Sequence, residues 1–257
     1  MEVRELWRYP VKSCAGERVG STWVAASGLA GDRVVQPTTA RGERVTARRF
    51  PRLLGLKGTL AEDGAALVDG HRWDTDEAAA RVRSASLDSV FLEHSLRQIR
   101  FDVLPVSLVT DGALDTLGVD HRRLRPNVVV SGVEGLAERT WDGLAIALGD
   151  AIVGVRQVRG RCVMTTYDPD TQDQDRSVLK RIVDEYGGRF ALDCYVIREG
   201  LVSEGDPVEI AGYWTLSPAD LTLQIGDGRP AWIPPNDDGI GVVPPRGSVI
   251  APATPSG

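Results

Sequence analysis

Residues 144–158, LAIALGDAIVGVRQV, consist of two apolar, partly β-branched runs on either side of Gly149-Asp150. A Gly-Asp pair between two such runs is typical of the tight turn of a β-hairpin. Upstream, Asn127–Ser131 (NVVVS) predicts a buried strand that starts after Arg125-Pro126. Downstream, Phe190–Ile197 and Asp206–Ile210 predict closing strands, with Gly205-Asp206 as the turn between them. The second half of the chain is therefore expected to be mainly β.

The first third of the chain shows the same alternation of short β-like runs and glycine turns. The runs are Val3–Tyr9, Ser21–Ala26 and Asp32–Gln36, and Asp69-Gly70 is expected at the tip of a further hairpin. Short strands separated by glycines indicate a meander or a barrel rather than alternating strands and helices.

Helical spacing of apolar residues is clearest in Ser177–Tyr186, where Asp175 can cap the start and Gly187 the end. Weaker patterns predict helices over Leu87–Leu96 and Ser107–Leu117. The predicted fold class is α+β and mainly β. We predict an N-terminal β domain over residues 1–85, a β-barrel domain over 86–211 and a Pro- and Gly-rich extension over 212–257.

Composition excludes several classes of protein. The chain has 257 residues and a net charge of -6, which argues against a broad nucleic-acid-binding surface. No apolar run reaches the roughly 18 residues of a membrane span, and the first residues do not form a signal peptide. The three cysteines are widely spaced, which favours free thiols and a cytoplasmic location.

Cys162 is the candidate reactive group of the chain. It lies in VRGRCVMTTYDPDT (residues 158–171), between Arg161 and Thr165-Thr166. A neighbouring guanidinium favours the thiolate, which is the form that binds metals and attacks electrophiles. The alternative is a buried structural cysteine, because cysteine is among the most buried residue types.

Several separated motifs together resemble one known family. They are Tyr9-Pro-Val-Lys-Ser-Cys14, Gly28-Leu-Ala-Gly-Asp-Arg33, Thr46-Ala-Arg48 with Pro51, Arg125-Pro-Asn-Val128, the cysteine loop from Arg161 to Asp170, and Gly205-Asp-Pro-Val208. In this order they resemble the MOSC family, the molybdenum cofactor sulfurase C-terminal domains, with the N-terminal β-barrel domain that often precedes them. Within that family the chain resembles the amidoxime-reducing molybdenum proteins.

The resemblance implies a molybdenum cofactor, a metal held by a phosphate-bearing pterin, with Cys162 as the catalytic cysteine and metal ligand. It further implies that the cofactor is bound by Lys12, Ser13, Arg33, Arg125, Asn127, Arg161 and Cys162, and we add Cys194 as a second candidate thiol. Arg and Lys suit the phosphate, and a soft thiolate suits a metal bound to sulfur. The expected activity is two-electron reduction of small N-hydroxylated or N-oxide substrates, with electrons from a separate donor protein.

This sequence departs from the pattern of its relatives at two places. Leu192-Asp-Cys194-Tyr195 replaces a small residue and a tyrosine, and Gln172 replaces a glycine that usually follows the cysteine loop. Cys194 can therefore pack the closing strand or lie near the metal. Two other functions stay open: a sulfur-carrier or cofactor-handling protein with a Cys162 persulfide, and a diverged biosynthetic enzyme on the same fold.

Overall fold

The computed structural model describes residues 1–95 and 100–213, together with the backbone of residues 224–225 and 229–230. Most of the extension predicted over 212–257 therefore lies outside the described residues. Within the described part, none of the helices combines the length and the apolar character that crossing a membrane requires.

Strands dominate the described residues, as the sequence predicts, and helices are fewer. In chain order the strands are β1 Glu2–Arg8, β2 Glu17–Val19, β3 Ser21–Ala25, β4 Gly28–Leu29, β5 Val35–Thr39, β6 Gly58–Leu60, β7 Ala66–Val68, β8 His71–Arg72, β9 Val90–His94, β10 Val106–Thr110, β11 Val128–Ser131, β12 Leu144–Leu148, β13 Ala151–Gly160, β14 Arg189–Arg198, β15 Gly200–Ser203 and β16 Val208–Tyr213. The α-helices of the described ranges are α1 Asp76–Ala85, α2 Asp111–Leu117 and α3 Arg176–Tyr186.

Eight strands form the main sheet in the order β16-β12-β13-β14-β10-β11-β1-β2. Neighbours are antiparallel except β10 and β11, which are parallel and are connected through α2. The edge strand β16 approaches β1, the strand next to the other end of the sheet, because Val3 N donates to Asp206 O at 2.9 Å and Val208 N donates to Met1 O at 3.0 Å. These bonds close the sheet towards a barrel.

The strands of the first half of the chain belong to more than one sheet. Strands β1 and β2 belong to the main sheet, and β3 pairs with β15. The rest of the first half packs around its own apolar cluster, which includes Val11, Leu53, Val68 and Val82. The boundary near residue 85 stays a prediction, but strand pairing joins the two halves.

The predicted hairpins form at the expected positions. β12 and β13 pair around Gly149-Asp150. β7 and β8 pair around Asp69-Gly70, and both residues of this second turn have positive φ. Helix α3 begins after Asp175, whose side chain accepts from Ser177 N, and ends at Gly187 in the left-handed region.

Several elements differ from the prediction, including β15, which was not predicted and lies between the two expected closing strands. The helix predicted over Leu87–Leu96 is wrong, because Val90–His94 is β9, which pairs with β5. The pattern over Ser107–Leu117 contains a strand and a helix, β10 and α2. The sequence analysis also missed α1, whose start is capped by Thr75. In each case a strand partner or a cap decides the structure rather than apolar spacing.

Candidate functional site

The thiol of Cys162 follows β13 at the start of a short 3-10 helix, Val163–Thr166. The carbonyl of Cys162 accepts hydrogen bonds from Thr165 N at 3.0 Å and from Thr165 Oγ1 at 2.9 Å. The Cys162 side chain is half-buried and free. The turn therefore holds the backbone of the cysteine and leaves its sulfur available.

An arginine and an aspartate fix the loop that follows. Arg123 donates to Thr166 O and to Asp168 Oδ2, both at 3.0 Å. Asp168 Oδ1 also accepts from the amides of Asp170 and Thr171. These bonds lower the pKa of Asp168, the amide of Thr171 contributing most, so the loop is held by an ionised carboxylate.

Lys12 and Ser13 form a tight turn after β1. Ser13 has a positive φ of 72°, and its Oγ accepts from Ala47 N at 3.1 Å. Lys12 Nζ lies 2.8 Å from Asp102 Oδ1 and donates to Arg100 O at 3.1 Å. Burial lowers the pKa of Lys12, and Asp102 opposes that effect. An ammonium has three N–H donors, and these two partners use two of them.

Arg33 and Arg125 both contact the ring of Tyr9. Their guanidinium carbons lie 4.9 Å and 4.2 Å from the ring centroid. Both arginines have positive φ, 53° and 52°, a conformation that non-glycine residues seldom adopt and that clusters at functional sites. Burial raises the pKa of Tyr9 to about 12 and lowers the pKa of Arg125. Tyr9 is thus an uncharged ring that both guanidinium groups contact.

Arg161 is a buried cation that its protein neighbours only partly satisfy. Its Nη2 donates to Leu124 O at 2.5 Å, while Nε and Nη1 are buried without a partner among the described residues. Burial and the neighbouring Arg159 lower the pKa of Arg161 to about 10. Buried N–H groups are rarely left unpaired, so these two indicate a missing hydrogen-bond acceptor.

One cavity brings most of the predicted site together. Predicted residues on its wall are Lys12, Ser13, Arg33, Arg125, Arg161 and Cys162. Among the described residues of the wall, six arginines and one lysine face a single carboxylate, Asp102. Arg33, Arg123 and Arg159 also pair with Asp32, Asp168 and Asp193, which lie behind the wall. The remaining positive charge of the wall is suited to an anionic ligand.

Two predicted cofactor contacts do not line this cavity. The Asn127 side chain is 1% exposed, accepts from Ser107 N at 3.1 Å, and donates to Trp7 O and Asp32 Oδ2, both at 3.2 Å. Cys194 is fully buried in the core of the main sheet, and burial raises its pKa. Asn127 therefore links β1 to the Arg33 turn, and Cys194 packs the sheet.

Other residues of the cavity wall are not among the predicted site residues. They are Thr46, Arg48, Phe101, Asp102, Val103, Arg123, Leu124, Arg159, Gly160, Met164 and Thr165. Arg48 was visible in the motif Thr46-Ala-Arg48, and Arg159 was visible as a second arginine just before the cysteine loop. Asp102 had no motif, and only the folded chain places it near Lys12.

The cavity fits the phosphate-bearing pterin that the sequence resemblance implies. The fit rests on the unpaired N–H groups of Arg161 and on the cations around them, because phosphate and pterin oxygens are acceptors. No group of three or more His, Cys, Asp or Glu side chains in the described ranges is arranged to hold a metal ion. Cys162 is the thiol on the cavity wall, and thiolate suits a metal whose other ligands are sulfur.

Comparison with known sequences identifies two family domains. The model of the MOSC N-terminal β-barrel domain matches residues 1–99, and the model of the MOSC domain matches residues 104–209. The human protein named mitochondrial amidoxime-reducing component 1 is 29% identical over 82% of this chain and 83% of its own length. Human mitochondrial amidoxime reducing component 2 is 27% identical over 68% of this chain and 69% of its own length. Among solved structures, the YUAD protein from Bacillus subtilis aligns with 80% of this chain and 93% of its own, with a TM-score of 0.45 and 16% identity.

Proposed function

The chain belongs to the MOSC domain family and carries the family's N-terminal β-barrel domain, and on that premise we propose that it is a molybdenum-cofactor-dependent reductase of small N-hydroxylated compounds. The observation that carries the proposal is the cation-lined cavity with the free thiol of Cys162 on its wall. Relatives that are named for amidoxime reduction, and that match most of the chain, support the substrate class.

The cations of the cavity have a common role in this proposal. Lys12, Arg33, Arg125 and Arg161 bind the phosphate and the pterin edge, and the Ser13 turn sets the position of Lys12. Desolvated guanidinium and ammonium groups make stronger charge-assisted bonds than exposed ones. Tyr9 keeps the planes of Arg33 and Arg125 in place, because cation–π contacts and burial fix both side chains.

Cys162 provides the thiolate that binds the metal. When bound, the cofactor supplies the two-electron chemistry, and the protein supplies ligation, orientation and a water-poor cavity. Arg123 and Asp168 keep the cysteine loop in one conformation, so the sulfur does not have to be ordered on binding. Electrons come from a separate donor protein, and a cytoplasmic location belongs to the same proposal.

The test is to express the chain in a host that makes the cofactor, and to measure molybdenum and pterin together with the reduction of an amidoxime by a reduced dye. We expect one molybdenum per chain and turnover in the wild type. Metal-free protein with a persulfide on Cys162 would support the sulfur carrier instead.

Cys162→Ser is the decisive variant. A serine oxygen is a harder and normally protonated ligand, so we expect turnover to be lost while circular dichroism and the pterin content stay close to wild type. Phosphate and pterin contacts do not use the sulfur, which is why the pterin should remain. A fully active serine variant that retains its molybdenum would remove Cys162 as the ligand.

A further inference from the structure

Arg159 is a cation of the cavity wall that the sequence motifs do not include. It lies on β13, the strand that leads into Cys162, and its Nη1 donates to Asp193 Oδ1 at 2.7 Å. Asp193 is completely buried on β14, and its other oxygen, Oδ2, has no partner among the described residues. The pair places a buried carboxylate directly behind a guanidinium on the cavity wall.

An irregularity in β13 produces this arrangement. Val155 lies opposite Cys194, whereas Gln157 lies opposite Asp193, so Arg156 is an extra residue in the strand. A bulge of this kind turns the following side chains to the other face of the sheet. Gln157 and Arg159 then share the face of Asp193, away from the core that contains Cys194.

Burying Asp193 costs free energy that Arg159 only partly returns. Burial raises the pKa of Asp193, and Arg159 and Arg161 oppose that effect. Gln157 also contributes a side-chain hydrogen bond to Asp193. A buried ion pair is nevertheless weak evidence for stability, since apolar residues of similar volume often pack at least as well. The effect of the pair is to hold the guanidinium of Arg159 in one position on the wall.

Arg159 differs from Arg161, two residues further on, which the proposed function assigns to the cofactor. Arg159 is held by the carboxylate of Asp193, whereas Arg161 donates to the carbonyl of Leu124. Asp193 uses one of the five N–H groups of the guanidinium, so others remain for a ligand in the cavity that Arg159 lines. A fixed guanidinium is the preferred partner of a carboxylate, which it binds through two parallel bonds.

We propose that Arg159, held by Asp193, determines specificity by binding a carboxylate on the substrate, with the group to be reduced directed towards Cys162. This inference rests on the proposed function, and it narrows the substrate class to N-hydroxylated compounds that carry a carboxylate. Arg159 touches the substrate, and Asp193 is a positioning residue.

The experiment compares an aromatic amidoxime that carries a ring carboxylate with the matching carboxamide. In Arg159→Gln we expect KM for the carboxylate substrate to rise about tenfold or more, as for the loss of one charge-assisted bond. The kcat for both substrates and KM for the carboxamide should stay near wild type. Arg159→Lys should recover part of the loss, and Asp193→Asn should raise KM for the carboxylate substrate alone. The control is Arg156→Gln on the exposed side of the same strand, which should change neither constant.

Two further measurements separate the possible failures. Equal rises of KM for both substrates, or a lower pterin content in Arg159→Gln, would overturn the inference, the second because Arg159 would then hold the cofactor's phosphate. Calorimetry with benzoate and benzamide tests the anion site without turnover. Benzoate binding that is lost in Arg159→Gln supports the carboxylate site even if the wild type reduces no amidoxime. The absence of reduction would then count against the proposed function alone. Unchanged benzoate binding would overturn the inference.

Discussion

Cys162, in the loop after β13, and Cys194, on β14, are two free thiols whose surroundings give them different chemistry. Cys162 is half-buried on a wall rich in arginine, whereas Cys194 is fully buried between apolar residues of the main sheet. Burial raises the pKa of the Cys194 thiol, Asp193 adds to that effect, and Arg159 opposes it only in part, so the thiol stays protonated. The surroundings of each sulfur therefore decide which of them can bind a metal.

Cys194→Ala should behave as a core substitution. Removing the buried sulfur leaves a small cavity beside Val106 and Val155, and we expect the free energy of unfolding to fall by about 1 kcal/mol. Turnover and pterin content should stay near wild type. Urea unfolding and kinetics on one preparation measure both effects. A large loss of turnover with unchanged stability would instead place Cys194 in the cofactor pocket.

Asp102 should make stability depend on pH in the acid range. Although burial opposes it, Lys12 lowers the pKa of Asp102 to about 2, below the unfolded value of about 3.9. A carboxyl group whose pKa is depressed by folding stabilises the protein above its unfolded pKa and loses that contribution as pH falls through the folded pKa. The wild type should therefore exceed Asp102→Asn in stability near about pH 6, and the difference should vanish towards about pH 2. A constant difference across this range, measured by urea unfolding, would contradict the coupling.

Residue types and motifs predicted the cations of the site better than its other members. Lys12, Arg33 and Arg161 lie on one cavity wall although they are far apart in the sequence. The amide of Asn127 belongs to the same motif as Arg125, yet its hydrogen bonds are internal. Pairing of Arg159 with Asp193 depends on the bulge at Arg156, and nothing in the local sequence marks a change of register.

At the scale of elements, turn and cap residues predicted the positions of hairpins and helix ends better than apolar spacing predicted helices. Two hairpin turns and both ends of α3 form where the sequence predicts them, because each requires a particular backbone conformation. The turns are Gly149-Asp150 and Asp69-Gly70, and the helix ends lie at Asp175 and Gly187. The pattern over Leu87–Leu96 failed because β5 requires a strand partner that lies elsewhere in the chain. Tertiary pairing of this kind overrides weak local propensity.

Helix α2 offers a test of how closely the elements pack. Gly112 lies in α2, where a methyl group would come within 2.6 Å of Gly135 N, against the loop after β11. Alanine usually stabilises a helix relative to glycine, but here we expect Gly112→Ala to lower the free energy of unfolding by about 1–3 kcal/mol. Gly20→Ala is the control, because nothing lies within 4 Å of the added carbon. A stabilised Gly112→Ala variant would show that the loop moves away without cost.

At the scale of the molecule, the cavity depends on both halves of the chain. β1 pairs with β11, and β3 pairs with β15, so the first half is joined to the second by backbone hydrogen bonds. Asp32 is fully buried and receives bonds from Tyr9 N at 2.7 Å and Asn127 Nδ2 at 3.2 Å. Arg33 is therefore positioned from both halves, and neither half alone forms the cavity wall.

This dependence predicts that the protein unfolds in one transition and that the cofactor raises the temperature of that transition as a whole. A ligand that binds only the folded state adds RT ln(1 + [L]/Kd), about 4 kcal/mol when its concentration is a thousand times Kd. Calorimetry of cofactor-loaded and cofactor-free protein should thus show a single peak in each, shifted upwards in the loaded sample. In Arg125→Ala the cofactor-free peak should move little, while the shift on loading should shrink, since the lost contact is made to the ligand. Two separate peaks, with the cofactor shifting only one, would mean that the halves fold independently and that the cavity does not couple their unfolding.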